Sequence, residues 1–380
     1  MVIGFDAKRL LHNRTGLGNY ARTLVASLLQ LAPQNEYHLF SPEVGEHSPN
    51  WSHKSHPSLI YHHPQSQRMA QGIRNSLWRT YGVAKIAALS GVQIYHGLSH
   101  ELPFGLSRHK IRSIVTIHDL IFMRHPEWFP FADRFFYRQK VMRACQQADL
   151  IVAISECTAN DLVELLKIPR ERMVVIYQSV SPEYTTQTVD CSPTTESEAL
   201  PKTYILAVGN CDTRKNYQTV LKAYAQLPQD RPHLVLTGKR GSDRKKIEAQ
   251  IRNEHLSDYI IWRQPSDAES LARLYRGARF SVYLSRYEGF GLPVLESIAC
   301  GTPVLAAQGS SLSEAGGNAA IYVPSNDVEA ASMAMRRLLY DDNFHQNLQQ
   351  LGATWAEQFS SVSLAETWLD VYGRLTGPNP

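Results

Sequence analysis

The chain has few cysteines for its 380 residues, and the five present are scattered. Cys145, Cys157, Cys191, Cys211 and Cys300 form no C-x-x-C pair and keep no regular spacing. An odd, dispersed set argues against a disulfide framework and reads as free thiols in a reducing compartment. A zinc site is equally unsupported, because no Cys/His ligand spacing recurs. Long apolar runs are missing too: no stretch of about 18 uninterrupted apolar residues occurs, so a spanning helix is not expected. The first residues, Met1 to Asp6, lack both a basic flank and an extended apolar segment. They read as a strand and not as a secretion signal, which makes a cytoplasmic location the expectation. Charge of one sign is also scarce. A formal net charge of +4 without dense Lys/Arg stripes argues against a nucleic-acid binder. It leaves room for phosphate-bearing substrates and for loose contact with the inner, anionic face of a membrane.

What is present is material for two cores. The chain is longer than one hydrophobic core usually spans, and its 43% apolar and 19% charged content is ordinary for a globular protein. Short apolar runs alternate with longer amphipathic stretches, the pattern of parallel sheets covered by helices. In the first half, strands are expected at Val2–Asp6, Tyr37–Phe40, Ile94–Gly97, Ile114–Ile117, Leu150–Ile154 and Met173–Ile176. Helices are expected at Gly18–Leu31, Asp133–Ala148 and Glu156–Lys167, the last capped by Ser155. The second half repeats the alternation, with strands at Tyr204–Val208, Leu234–Thr237, Tyr259–Trp262, Phe280–Leu284, Val304–Ala306 and Ile321–Val323. Between the halves, residues 181–202 are rich in Ser, Thr, Pro and Glu, which is linker chemistry. The expected division is therefore 1–180, a linker 181–202, and 203–363, with a C-terminal helix over 364–380 returning to the first domain. Ligands of open α/β sheets bind beyond the carboxyl ends of the strands, so a central cleft between two doubly wound domains is the expected site.

The most informative stretch runs from Ser285 through Glu296 and on to Gly301-Thr302-Pro303-Val304. It falls where a buried strand ends and a helix starts. Gly289 and Gly291 allow a tight turn and close ligand approach, and Pro293 suits the first helical turn. The free N–H groups of that turn make an anion site suited to a diphosphate. Two carboxylates bracket it: Glu288 before the helix and Glu296 within it, one placed to meet a transferred group and the other to accept from ribose hydroxyls. Singly, each reads as a solvated charge; the combination points to binding.

This Glu-Gly-Phe-Gly-x-Pro-x-x-Glu block resembles the signature of the retaining glycosyltransferases of family 4, which have the GT-B fold. The resemblance extends over nearly the whole chain. It takes in the glycine segment near the start, Thr116 to Leu120, Val208-Gly209 through Arg214-Lys215-Asn216, and Ser311 to Glu314. His118-Asp119-Leu120 followed by His125-Pro126-Glu127-Trp128-Phe129 resembles bacterial mannosyltransferases that build surface polysaccharides.

The resemblance implies a nucleotide-sugar-dependent hexosyltransferase that retains anomeric configuration. Glu288 would contact the donor sugar, Glu296 would bind ribose, and the backbone N–H groups of Phe290, Gly291 and Leu292 would meet sugar or phosphate. Arg214 and Lys215 would neutralise the departing diphosphate, where charge grows as the glycosidic bond breaks. Relatives carry an Arg after the glycine of that strand where Asn210 stands here, which leaves open how a second positive charge is supplied. His118 would contact sugar near the donor; as a lone histidine it reads equally as structural. Gly16 and Gly18 would form a loop near donor phosphate. Their G-x-G-x-x-A context also matches dinucleotide binding, but it falls well past the first strand and no acidic residue ends a second one. Lys239, beside Arg240, would reach phosphate or base, with a solvated role the competing reading. Arg263-Gln264-Pro265 departs from the family's glycine-containing loop and leaves the base open.

No D-x-D motif is present, so no divalent ion or other cofactor is expected. The expected partners are a nucleotide-sugar donor, GDP-mannose ahead of UDP-sugars, and a saccharide or lipid-linked acceptor. Two rival readings stand: a nucleotide-sugar epimerase of the same architecture, and an inactive nucleotide-sugar-binding regulator. Finally, Arg68–Lys85 and Trp128–Arg143 mix basic and aromatic residues. A peripheral membrane contact is the expectation for the first, and helix packing for the second.

Overall fold

The computed structural model describes residues 1–13, 16–43, 56–64, 71–185, 200–238 and 241–377. The chain divides into two compact units, Met1–Ser179 with the residues from Ser361 onward, and Val180–Ser360.

The first unit is built on a seven-stranded sheet of β1 (Val2–Asp6), β2 (Glu36–Phe40), β3 (Leu59–His62), β4 (Ile94–Gly97), β5 (Arg112–Ile117), β6 (Leu150–Ala153) and β7 (Met173–Val175). Its order is β3-β2-β1-β4-β5-β6-β7, and every pairing is parallel. The central strands are near-continuous apolar runs because helices cover both faces. β3 was not read in the sequence. It is short, pairs among the described residues with β2 alone and is only half-buried, so its apolar pattern is diluted as at other sheet edges.

Among the helices of this unit are α1 (Gly16–Leu31), α2 (Phe131–Gln147) and α3 (Glu156–Leu166). α3 starts where expected, with the Ser155 hydroxyl accepting from the Thr158 N–H. In the segment reading as linker, Pro182–Thr185 is a helical turn that buries Tyr184 against Tyr275, and residues 186–199 lie outside those described.

The second unit holds a six-stranded parallel sheet of β8 (Tyr204–Val208), β9 (His233–Thr237), β10 (Ile260–Arg263), β11 (Phe280–Tyr283), β12 (Val304–Ala307) and β13 (Ala320–Val323). The order β10-β9-β8-β11-β12-β13 repeats the doubly wound logic of the first sheet. Two of its helices matter below: α4 (Ala268–Gly277) and α5 (Leu292–Ala299).

The last helix, α6 (Ser361–Thr376), is assigned to the first unit. It contributes Trp368 and Tyr372, both fully buried, to the core beneath β1 and β4. The Tyr372 hydroxyl lies 2.8 Å from Nδ1 of His96 on β4, and Trp368 packs on the same imidazole with ring centroids 4.3 Å apart. Among the described residues, no helix is long and apolar enough to cross a membrane.

Candidate active site

In each sheet the strand order reverses once, between β1 and β4 and between β8 and β11. At such a reversal the two following loops run in opposite directions and leave a crevice beyond the strand ends. In the second unit, those loops carry Arg214 and Lys215 after β8, and Glu288 after β11.

The three side chains converge. Lys215 Nζ donates to Glu288 Oε1 at 2.7 Å, and Arg214 pairs with Oε2. Oε1 accepts two further bonds, from the Tyr283 hydroxyl at 2.8 Å and the Ser285 hydroxyl at 2.6 Å. The Lys215 ammonium also lies 4.7 Å from the Tyr283 ring centre and bonds its hydroxyl. Burial alone would raise the Glu288 pKa, but the Lys215 and Arg214 charges and the Lys215 and Ser285 hydrogen bonds hold it well below the usual range. Glu288 is therefore an ionised acceptor and not a proton donor. Two cations against one carboxylate leave the cluster with one net positive charge.

Backbone contacts fix this arrangement. Arg214 O accepts from the Arg286 N–H at 2.9 Å, and Arg214 Nη1 donates to Tyr287 O at 3.1 Å. Asn216, with φ of 57°, donates through Nδ2 to Leu284 O and Ser325 O, tying the loop after β8 to the end of β11. The Ser311 hydroxyl donates to Glu288 O at 2.9 Å, and Ser310 Oγ accepts from the Glu288 N–H at 3.3 Å.

α5 begins directly after this loop. Gly291 caps it at φ of 107°, and a Cβ there would come within 2.6 Å of Leu312 Cδ2, so glycine is needed on both counts. Leu292 is the first helical residue and Pro293 the second, so the positive end of the helix dipole is set beside Arg214 and Lys215. The Phe290 side chain is buried against Phe359, with rings 6.0 Å apart. What Phe290 offers outward is therefore its backbone.

Glu296 is buried inside α5, which removes the reading of a solvated helix residue. The Tyr275 hydroxyl of α4 donates to its Oε2 at 3.3 Å, and among the described residues Glu296 joins no ion pair. Burial raises its pKa to about 7, opposed by hydrogen bonds from Tyr275 and Tyr184. Two carboxylates eight positions apart thus have opposite electrostatics, one neutralised by cations and one held by tyrosine hydroxyls.

His118 and the two glycines lie in the first unit. His118, just beyond β5, is buried with both ring nitrogens engaged. Nε2 donates to Leu98 O at 2.8 Å, and Nδ1 accepts from Gln178 Nε2 at 3.0 Å. Burial lowers its pKa to about 3, with His100 adding to the effect. Held so, the ring is neutral and fixed in orientation at the end of the strand. The glycine segment needs correcting, since Gly16 and Gly18 are the first turn of α1 and not a loop. A Cβ on Gly18 would lie 1.8 Å from Asn13 O, so its missing side chain is explained by close packing of α1 on the preceding turn. Lys239 and Arg240 fall outside the described residues.

Sequence reasoning missed Tyr283, Ser285 and Asn216 around Glu288, Tyr275 and Tyr184 around Glu296, and Gln178 on His118. Only Ser285 and Asn216 carried a signal, by lying within the quoted motifs, although no role was read for them; the rest are nonlocal. Among the described residues, no three His, Cys, Asp or Glu side chains converge to hold a metal ion.

Residues 14–184 match the model of Glycosyltransferase Family 4, and residues 194–355 that of Glycosyl transferases group 1. The chain belongs to this glycosyltransferase family and has the GT-B fold. It is 29% identical to O-antigen chain mannosyltransferase B of Escherichia coli, over 98% of this chain and 99% of that one. Among solved structures it resembles sucrose-phosphate synthase from Thermosynechococcus elongatus, with a TM-score of 0.79 and 22% identity over 99% of each chain. Anabaena HepE, solved in complex with UDP-glucose, has a TM-score of 0.74 at 15% identity, covering 98% of this chain and 99% of that one.

Proposed function

We propose that the chain is a retaining, metal-independent hexosyltransferase that moves mannose from GDP-mannose to a saccharide or lipid-linked saccharide acceptor during synthesis of a cell-surface polysaccharide. The observation that carries this reading is the convergence of Arg214, Lys215 and Glu288 beside the start of α5, at the strand reversal of the second sheet. A departing nucleoside diphosphate gains negative charge as the bond from C1 to its β-phosphate oxygen breaks. The two cations and the N–H groups of Gly291 and Leu292 would stabilise that charge in place of a divalent ion. Arg214, which pairs with Glu288, would supply the second positive charge that Asn210 leaves open.

Glu288, fixed as a carboxylate, would orient both cations and accept from hydroxyls of the sugar. Glu296 would accept from the ribose. In the reaction the acceptor hydroxyl attacks C1 on the face that the diphosphate leaves. Its proton passes to the departing phosphate oxygen, so configuration is retained without a covalent intermediate. Mannose as the sugar, GDP as the carrier and a surface polysaccharide as the product are supported by the full-length likeness to an O-antigen mannosyltransferase.

The test is a thermal-shift screen against GDP, UDP, ADP and their sugar conjugates, followed by transfer from the best donor with and without EDTA. GDP and GDP-mannose are expected to raise the melting temperature most, because a ligand bound only to the native form stabilises it. Transfer should be unchanged by the chelator. A melting temperature unmoved by any of the nucleotides would refute a donor site, and a chelator-sensitive rate would refute metal independence. Sugar-nucleotide turnover with no acceptor present would favour the epimerase instead.

A further inference from the structure

The two basic-aromatic stretches touch through Phe104, and the first half of α2 is left uncovered. Phe131, Phe135, Phe136 and Tyr137 are 75%, 52%, 62% and 44% exposed, so the helix packing expected of this stretch fails for its first two turns. Only from Val141 onward does α2 enter the core. Phe136, Lys140 and Arg143 follow at spacings of four and three and share one helix face. Arg143 lies 4.3 Å over the Phe104 ring, and Phe104 stacks on Tyr81, centroids 5.2 Å apart. Tyr81, 64% exposed, adjoins the Phe136–Arg143 side of the helix, whereas Phe131, Arg134, Phe135 and Arg138 share the opposite side and make a basic-aromatic surface of their own.

We propose that this surface docks the protein on a bilayer containing anionic lipid. The charges argue for that occupant. α2 carries Arg134, Arg138, Lys140 and Arg143 against one acid, Asp133. Lys140 pairs with Glu101, whereas Arg134 and Arg138 join no ion pair among the described residues. Aromatic rings flanked by basic side chains suit the headgroup boundary, where rings bury their faces and cations meet lipid phosphate. A two-fold pairing with a second copy would instead bring Arg134 and Arg138 of both chains together, which is repulsive.

The experiment is cosedimentation of the full chain with vesicles of phosphatidylcholine mixed with phosphatidylglycerol, and of phosphatidylcholine alone, at low and high salt. The parent chain should bind the mixed vesicles, bind the neutral ones far less, and weaken as salt rises. Phe131→Ser, Phe135→Ser and Phe136→Ser combined should cut partitioning roughly tenfold or more. Arg134→Glu with Arg138→Glu should cost at least about 25-fold on anionic vesicles, near fivefold for each basic side chain. The serine variant should melt within about 2 °C of the parent, since all three of its positions are exposed, and Arg138→Glu alone, also at an exposed position, should do the same and still weaken binding about fivefold. Failure of the parent to bind, or equal binding by all four proteins, overturns the proposal. So does a lipid-free dimer of the parent that the serine variant disperses, because a second copy would then be the occupant.

Discussion

Replacing Glu296 by Gln is expected to stabilise the ligand-free protein above neutral pH while weakening its hold on a nucleoside diphosphate. The carboxyl is buried in α5, faces the Tyr275 and Tyr184 hydroxyls, and titrates at about 7 instead of 4.5. Between those two values the native protein binds more protons than the unfolded chain does, so stability falls as pH rises through this window and levels off above it. The shift corresponds to an upper figure of about 3 kcal/mol. Glutamine does not ionise and escapes this loss, although its buried amide needs an acceptor of its own. A net gain of about 1–3 kcal/mol above neutral pH is expected.

Denaturant unfolding of the parent and the variant across the acid-to-alkaline range reads this directly. The gap between the two curves should widen from about pH 4.5 to about pH 7 and then stay constant. A gap independent of pH, or a variant less stable than the parent at about pH 8, would refute the reasoning. Ribose hydroxyls donating to the carboxylate would favour its ionised form. Nucleotide affinity of the parent should therefore rise with pH over the same interval, and that of the variant should be flat.

Lys215→Met removes one of two cations aimed at the leaving group. Steady-state kinetics should show a fall of about 100- to 1000-fold in kcat, with a smaller change in KM. Gly18→Ala forces a methyl group into Asn13 O, 1.8 Å from the new Cβ position. Denaturant unfolding should show a loss of about 1–3 kcal/mol. Trp368→Ala empties the core beneath β4 and should cost about 3–5 kcal/mol, read as a lowered unfolding midpoint.

Much of the architecture was legible because each strand is a local apolar run and each helix a local amphipathic period. β8 and β1 occupy the residues read as strands, and Pro293 falls in the first turn of α5 as read. The elements misjudged are those whose burial depends on distant neighbours. β3 is an edge, with a partner on one side only. Tyr184 sits in a proline- and serine-rich stretch yet is buried by Tyr275. α2 reads as a packed helix but enters the core only in its second half. The glycines at the start of α1 looked like a ligand loop, because spacing alone does not separate a loop from a tightly packed helical turn.

The sequence by itself determined the two α/β halves, the Glu288–Glu296 block and the position of the cations after β8, since all are written in contiguous stretches. Tertiary structure alone decided the chemistry of those charges. Lys215 reaches Glu288 across 73 positions because β8 and β11 are neighbours at the point where the sheet reverses. Glu296, on the same short segment as Glu288, faces hydroxyls and joins no ion pair among the described residues. A carboxylate's state depends on which distant groups surround it in space, and those groups come from elements that only the sheet order brings together.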